Sequence, residues 1–112
     1  MAINQFQVKT YEVKLARQLT IGVNNHFYAY IVCNGDNGEL FVVYFMQPNS
    51  PVPDNVYIPD RKISSCYVPY DLFPWFLNIL QNEKPIYAYR NSDKPIWNRL
   101  FTGKEPVGEE ES

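Results

Sequence analysis

The chain's strongest constraint is a pair of strand-like runs joined by a turn sequence. "TIGVNNHFYAYIVC" (20–33) and "ELFVVYFM" (39–46) are rich in aromatic and β-branched residues, and "NGDNG" lies between them. Asn-Gly and related dipeptides tolerate positive φ and close hairpins. The chain must therefore build an antiparallel ribbon, and the rest of the sequence must bury it. "ELFVVYFM" is apolar on both parities after Glu39, which fits a central strand covered on both faces. In "HFYAYIVC", His26, Tyr28, Tyr30 and Val32 share one parity, and Phe27, Ala29, Ile31 and Cys33 share the other. The second set suits a core. The first carries flat rings with polar tips.

Upstream, "QFQVKTYEVKLARQ" (5–18) also alternates, but Phe6 and Val8 lie on one parity and Tyr11, Val13 and Leu15 on the other. That change predicts a bulge or bend near Lys9 and Thr10. Downstream, "QPNSPVPDN" contains three prolines and reads as a loop. "VYIP" and "KISSCYV" read as short strands around a turn at Pro59–Arg61, either one interrupted strand or a small hairpin.

"DLFPWFLNILQN" (71–82) places Leu72, Trp75, Phe76, Ile79 and Leu80 on one helical stripe. Asp71 is the expected cap, Pro74 falls in the first turn, and Pro85 ends the helix. "IYAY" reads as a strand, and "KPIWNRLFTG" as a short second helix with Trp97 packed inward. The expected fold is α+β: a curved, mainly antiparallel sheet of four to five strands, covered on one face by the amphipathic helix, with a short C-terminal helix. Residues 1–104 form the expected domain, and the acidic tail 105–112 is expected to be disordered.

Length and composition narrow the function classes. A chain of 112 residues can bury one core without disulfides or metals. No apolar run approaches the roughly 20 residues that span a bilayer. "MAINQFQVKT" lacks the pattern of a secretory signal. Cys33 and Cys66 belong to no CxxC pair, so the expectation is two buried, reduced thiols in a cytoplasmic protein. His26 is the only histidine, and there is no GxSxG, P-loop or GxGxxG. The expectation is therefore no enzyme, metal, cofactor, membrane or small-molecule substrate.

Charge is uneven. The chain carries 10 bases and 12 acids, yet residues 84–104 hold five bases (Lys84, Arg90, Lys94, Arg99, Lys104) against Asp93 alone. Such cations usually solvate a surface. Interleaved with aromatics they can also grip a single-stranded nucleic acid, with bases stacked on rings. Lys9, Lys14, Arg17, Arg90 and Arg99 are the expected phosphate contacts, and Tyr28 and Tyr30 the stacking rings. The alternative is a protein-interaction or assembly module using the same Tyr-rich face, since tyrosine is also enriched at interfaces. One helix cannot shield both faces of an aromatic-rich sheet, so a homodimer is expected.

The strings "VYIPDRKISSCYVPYDLFPWFLNIL" and "NEKPIYAYRNSDKPIWNRLFTGKEPVGEEE" carry a resemblance to a family of small uncharacterised cyanobacterial proteins. That family is similar in fold to the single-stranded-DNA-binding transcriptional regulators, such as the positive-cofactor-four coactivator and the plant whirly proteins. The resemblance implies a curved antiparallel sheet followed by a helix; single-stranded DNA or RNA as the partner, and a transcriptional or DNA-maintenance role, belong to the nucleic-acid reading of the residues above. The Lys-Gly-Lys-rich strand motif of the whirly proteins is absent here, so no binding residue carries over from them.

Overall fold

The computed structural model describes residues 2–22 and 24–104; the acidic tail 105–112 lies outside the described residues. Among the described residues, eight strands and one α-helix make an α+β arrangement with two sheets rather than one. The elements are β1 (Ile3–Gln7), β2 (Thr10–Ile21), β3 (Asn25–Asn34), β4 (Leu40–Met46), β5 (Val56–Ile58), β6 (Ile63–Pro69), α1 (Phe73–Asn82), β7 (Ile86–Asn91) and β8 (Arg99–Thr102). The larger sheet has the order β2-β3-β4-β6-β5, and the smaller β1-β7-β8. All pairings are antiparallel except β4 with β6.

The parity change near Lys9 marks the place where one extended run leaves one sheet for the other. The Val8 amide donates to the Ile86 carbonyl of the small sheet, at 2.8 Å. The next amide, Lys9, donates to the Asn34 carbonyl of the large sheet, also at 2.8 Å. Residues on either side of this step thus serve different partners, which a single alternating strand cannot do. The segment 20–33 also divides: β2 continues to Ile21, and a turn through Gly22, at φ +64°, returns the chain as β3.

"NGDNG" closes the β3–β4 hairpin as expected, with Gly38 at φ +83°. Gly35 answers a close approach instead: a Cβ there would stand 2.6 Å from the Phe6 ring. The two short strands form a hairpin, with β5 pairing β6 around the 3-10 turn Pro59–Arg61. The proline loop is pinned to β3 by the His26 amide, which donates to Ser50 Oγ at 2.8 Å.

The core lies between the sheets. Phe6, Ile86 and Ala88 of the small sheet meet Ala29, Ile31, Cys33, Phe41, Val43, Phe45 and Cys66 of the large one. α1 closes the cluster with Phe73 and Leu80, backed by Phe76 and Leu77. The helix is turned from its expected orientation. Trp75 is 68% exposed and Leu72 37%, whereas Phe73 is buried. The cause is local. A 3-10 turn, Tyr70–Leu72, runs directly into α1 and sets Phe73 edge-on to Phe45, ring centroids 5.0 Å apart. Phe73, Phe76, Leu77 and Leu80 fit the helical period as well as the expected stripe does. Asp71 makes no capping hydrogen bond, because the N-cap position falls on Leu72.

The expected C-terminal helix is a 3-10 turn, Pro95–Trp97, followed by β8. Ile96, Trp97, Leu100 and Phe101 have helical spacing, but Phe101 pairs with Tyr87 and Leu100 with Ala88, and strand pairing wins.

Cys33 and Cys66 are free and buried. Burial pushes the Cys33 thiol up to about 12 and that of Cys66 to about 11, the latter against a hydrogen bond from Asn55 that acts downward. Both thiols should resist a disulfide reagent until the protein unfolds. As pH rises above the ordinary thiol value of 9.0, an unfolded chain loses thiol protons that the native chain keeps. Stability should therefore fall steadily from pH 9.0 towards about 12. Urea midpoints measured either side of pH 9 test this, and a midpoint that rises with pH across that window would overturn it.

Candidate functional site

The large sheet's second face is organised by register. Lys14 pairs Tyr30, Tyr30 pairs Tyr44, and Tyr44 pairs Tyr67, so four strands contribute one row. The row beside it, two residues along each strand, runs Glu12, Val32, Val42, Ser65 and Val56. Leu40, Ile63 and Ile58 follow in a third. Tyr44 stacks on Tyr67 with ring centroids 4.9 Å apart and leans on Tyr30 at 5.8 Å. Desolvation, with the neighbouring Tyr67 and Tyr30 phenols, raises the Tyr44 pKa. Val56, Ile58 and Ile63 are exposed. Lys14 and Glu12 stand at the β2 edge as a mutual ion pair, 3.7 Å apart.

This face holds only part of the expected site. Tyr30 and Lys14 lie in it. Tyr28 does not, because a bulge shifts the β3–β4 register between Phe27 and Ala29. The extra residue reverses side-chain parity. Phe27 therefore turns towards Tyr30 and Tyr44, at 5.9 and 5.1 Å, while Tyr28 packs edge-on against Tyr70 at 4.8 Å. Phe27, expected in the core under the helix, is buried among the tyrosines instead. Lys9 reaches Asp36 in the hairpin loop at 3.8 Å. Arg17 lies in the β2 bulge, where its carbonyl accepts from Gln47 Nε2 at 3.3 Å.

Arg90 corrects the sequence reading most sharply. It is 1% exposed, not a surface phosphate contact. Its guanidinium lies between the Phe6 and Tyr57 rings, 4.8 and 4.5 Å from their centroids. Nη1 donates to the Lys62 carbonyl at 2.8 Å, and Nη2 to Asn4 Oδ1 at 2.6 Å. Longer bonds from Nη1 reach the Leu40 carbonyl and Ser64 Oγ. Desolvation lowers the Arg90 pKa, opposed by Tyr57 and Glu39. This side chain ties β7 of one sheet to β4, β5 and β6 of the other. An isolated charge is not kept in a core without such partners.

No family model, curated protein or solved structure matches this chain. Among the described residues, no group of three or more His, Cys, Asp or Glu comes together to hold a metal, and no helix is long and apolar enough to cross a membrane.

A second feature flanks the β8 edge. Arg99 is exposed, with its guanidinium 4.3 Å from the Tyr89 ring centroid, and Lys94 Nζ is 5.2 Å from that of Trp97. Trp97 is 49% exposed, against the packed position expected of it. The 3-10 turn lifts it to the rim of an open groove of about 900 Å³ lined by Val52, Asp54, Phe76 and Arg99.

Tyr44, Tyr67 and Val42 were missed in the sequence. The signal that could have found them was strand pairing: once β3, β4 and β6 are set side by side, one tyrosine from each falls in one row.

Proposed function

We propose that this chain is a non-enzymatic docking module whose tyrosine-lined sheet face receives another protein surface, with α1 and the small sheet closing the opposite face of a curved large sheet. One observation carries the reading. The face offers three adjacent phenols and a bed of Val, Leu and Ile, and among the described residues its only charges are one ion pair at an edge. Aromatic rings with polar tips over an uncharged centre are the composition of protein contacts. A polyanion needs cations around the rings, and of the expected cations only Lys14 stands there.

A single-stranded nucleic acid is the second reading, favoured by the half-exposed Trp97 with Lys94 and Arg99 beside it. It concerns a different corner of the molecule, so the two readings separate by position. A photoreactive benzoylphenylalanine replacing Tyr44, or separately Trp97, should be irradiated in the producing cells and its adducts identified by mass spectrometry. Protein adducts through position 44 are the expected result. Nucleic-acid adducts through position 97, with none of any kind through 44, would replace the first reading by the second. In that event Arg99→Ala should flatten the salt dependence of single-strand binding by about 0.7 in log–log slope.

A further inference from the structure

The two outward rows of the large sheet are complementary to each other. One is bulky and basic at its β2 end: Lys14, Tyr30, Tyr44, Tyr67. The other is small and acidic at the same end: Glu12, Val32, Val42, Ser65. A two-fold axis lying along the rows and midway between them would exchange the rows while keeping each strand over its own copy. We infer that the occupant of the tyrosine face is a second copy of this chain, related by that axis; the inference rests on the docking reading above.

The consequences follow from the symmetry. Each tyrosine row lies over the partner's Val32–Val42–Ser65 row, so large rings meet small side chains across two sheets packed at about 10 Å. Large opposite small is what close packing between facing layers requires. At the β2 edge each Lys14 meets the partner's Glu12 and each Glu12 the partner's Lys14, giving two ion pairs from one pair per chain. Both side chains are more than half exposed in the single chain and free to make this exchange. Ser65 supplies an independent sign. Its hydroxyl is covered by its neighbours and has no hydrogen-bond partner. It lies in the small row directly beside Tyr67, so the axis brings the partner's Tyr67 phenol over it. An apolar partner would leave the Ser65 hydroxyl unpaired.

Sedimentation across a wide concentration range tests the inference on the whole chain. A reversible shift from 13.1 kDa to twice that mass is expected. Glu12→Lys and Lys14→Glu should each weaken self-association roughly tenfold, because each puts like charges opposite one another in both pairs at the β2 edge. Mixed together, the two variants should form a heterodimer in preference to either homodimer, since every pair across that interface is then opposite in sign. The double variant carrying both changes should associate like the original. A chain that stays at 13.1 kDa throughout overturns the inference, and so does a dimer whose two variants mix without preference. Either failure leaves the docking reading intact if position 44 still cross-links to a different protein. Absence of any protein adduct at 44 removes both.

Discussion

Arg90→Ala is expected to destabilise the protein by about 3 kcal/mol, a large share of the roughly 5–15 kcal/mol that holds a domain together. Two strong acceptors, the Lys62 carbonyl and Asn4 Oδ1, would lose their donor inside the core. Each buried group left unsatisfied costs about 1–3 kcal/mol. The slot between the Phe6 and Tyr57 rings would also stand empty. Against this, the variant no longer holds a cation out of water, which keeps the net effect below the sum of the losses. With a urea slope of about 1–3 kcal/mol per molar, the midpoint should fall by 1 M or more. A fall under about 0.3 M would mean that the guanidinium is not buried as described. Trp97→Ala supplies the contrast: its ring is half exposed and should cost well under half as much.

Phe45→Ala should be at least as damaging. Phe45 is fully buried at the centre of the large sheet and meets two helix rings edge-on, Phe73 at 5.0 Å and Phe76 at 5.4 Å. Removing a buried Phe costs about 3–5 kcal/mol in lost transfer energy and residual cavity. The damage should be directional, because Phe45 is the main aromatic contact of α1 with the sheet. Amide exchange in α1 should rise more than exchange in β3. Equal acceleration in both elements would show that the helix does not depend on this contact.

How far the sequence could be read follows from these residues. The β3–β4 hairpin was legible because Asn-Gly chemistry and alternation agree. So was the inward parity of Ala29, Ile31 and Cys33, each fully buried. The helix was legible in place but not in rotation, since Phe73 and Trp75 are both large apolar residues near its first turn and only the Tyr70–Leu72 turn decides between them. The bulge at Tyr28 left no mark, because an extra residue in an aromatic run keeps the run aromatic while reversing which ring faces which side. Arg90 reads outward in the sequence because it lies past the expected strand "IYAY", among cations that usually face solvent. Its burial depends on two rings and four acceptors brought together from β1, β4, β5, β6 and the turn before β6. Two of the three tyrosines in the row were hidden for the same reason: Tyr44 and Tyr67 become neighbours only through the parallel β4–β6 pairing, which no local pattern announces.

The pairing of β1 with β7 also governs the order in which the molecule is completed. Ile3 lies opposite Asn91 and Gln7 opposite Tyr87, so β1 must wait for β7, which is made after every strand of the large sheet. During synthesis the large sheet can assemble from β2 to β6 while β1 hangs unpaired from its edge. Because β1 continues directly into β2, it stays tethered beside the growing sheet, and little entropy remains to be lost when its partner emerges. The non-local closure places the chain among slower-folding topologies, yet the tether limits that penalty to a single late step. Until that step the core face of β3 and β4 lacks Phe6, Ile86 and Ala88, and the nascent chain is most exposed to aggregation in the interval just before β7 leaves the ribosome.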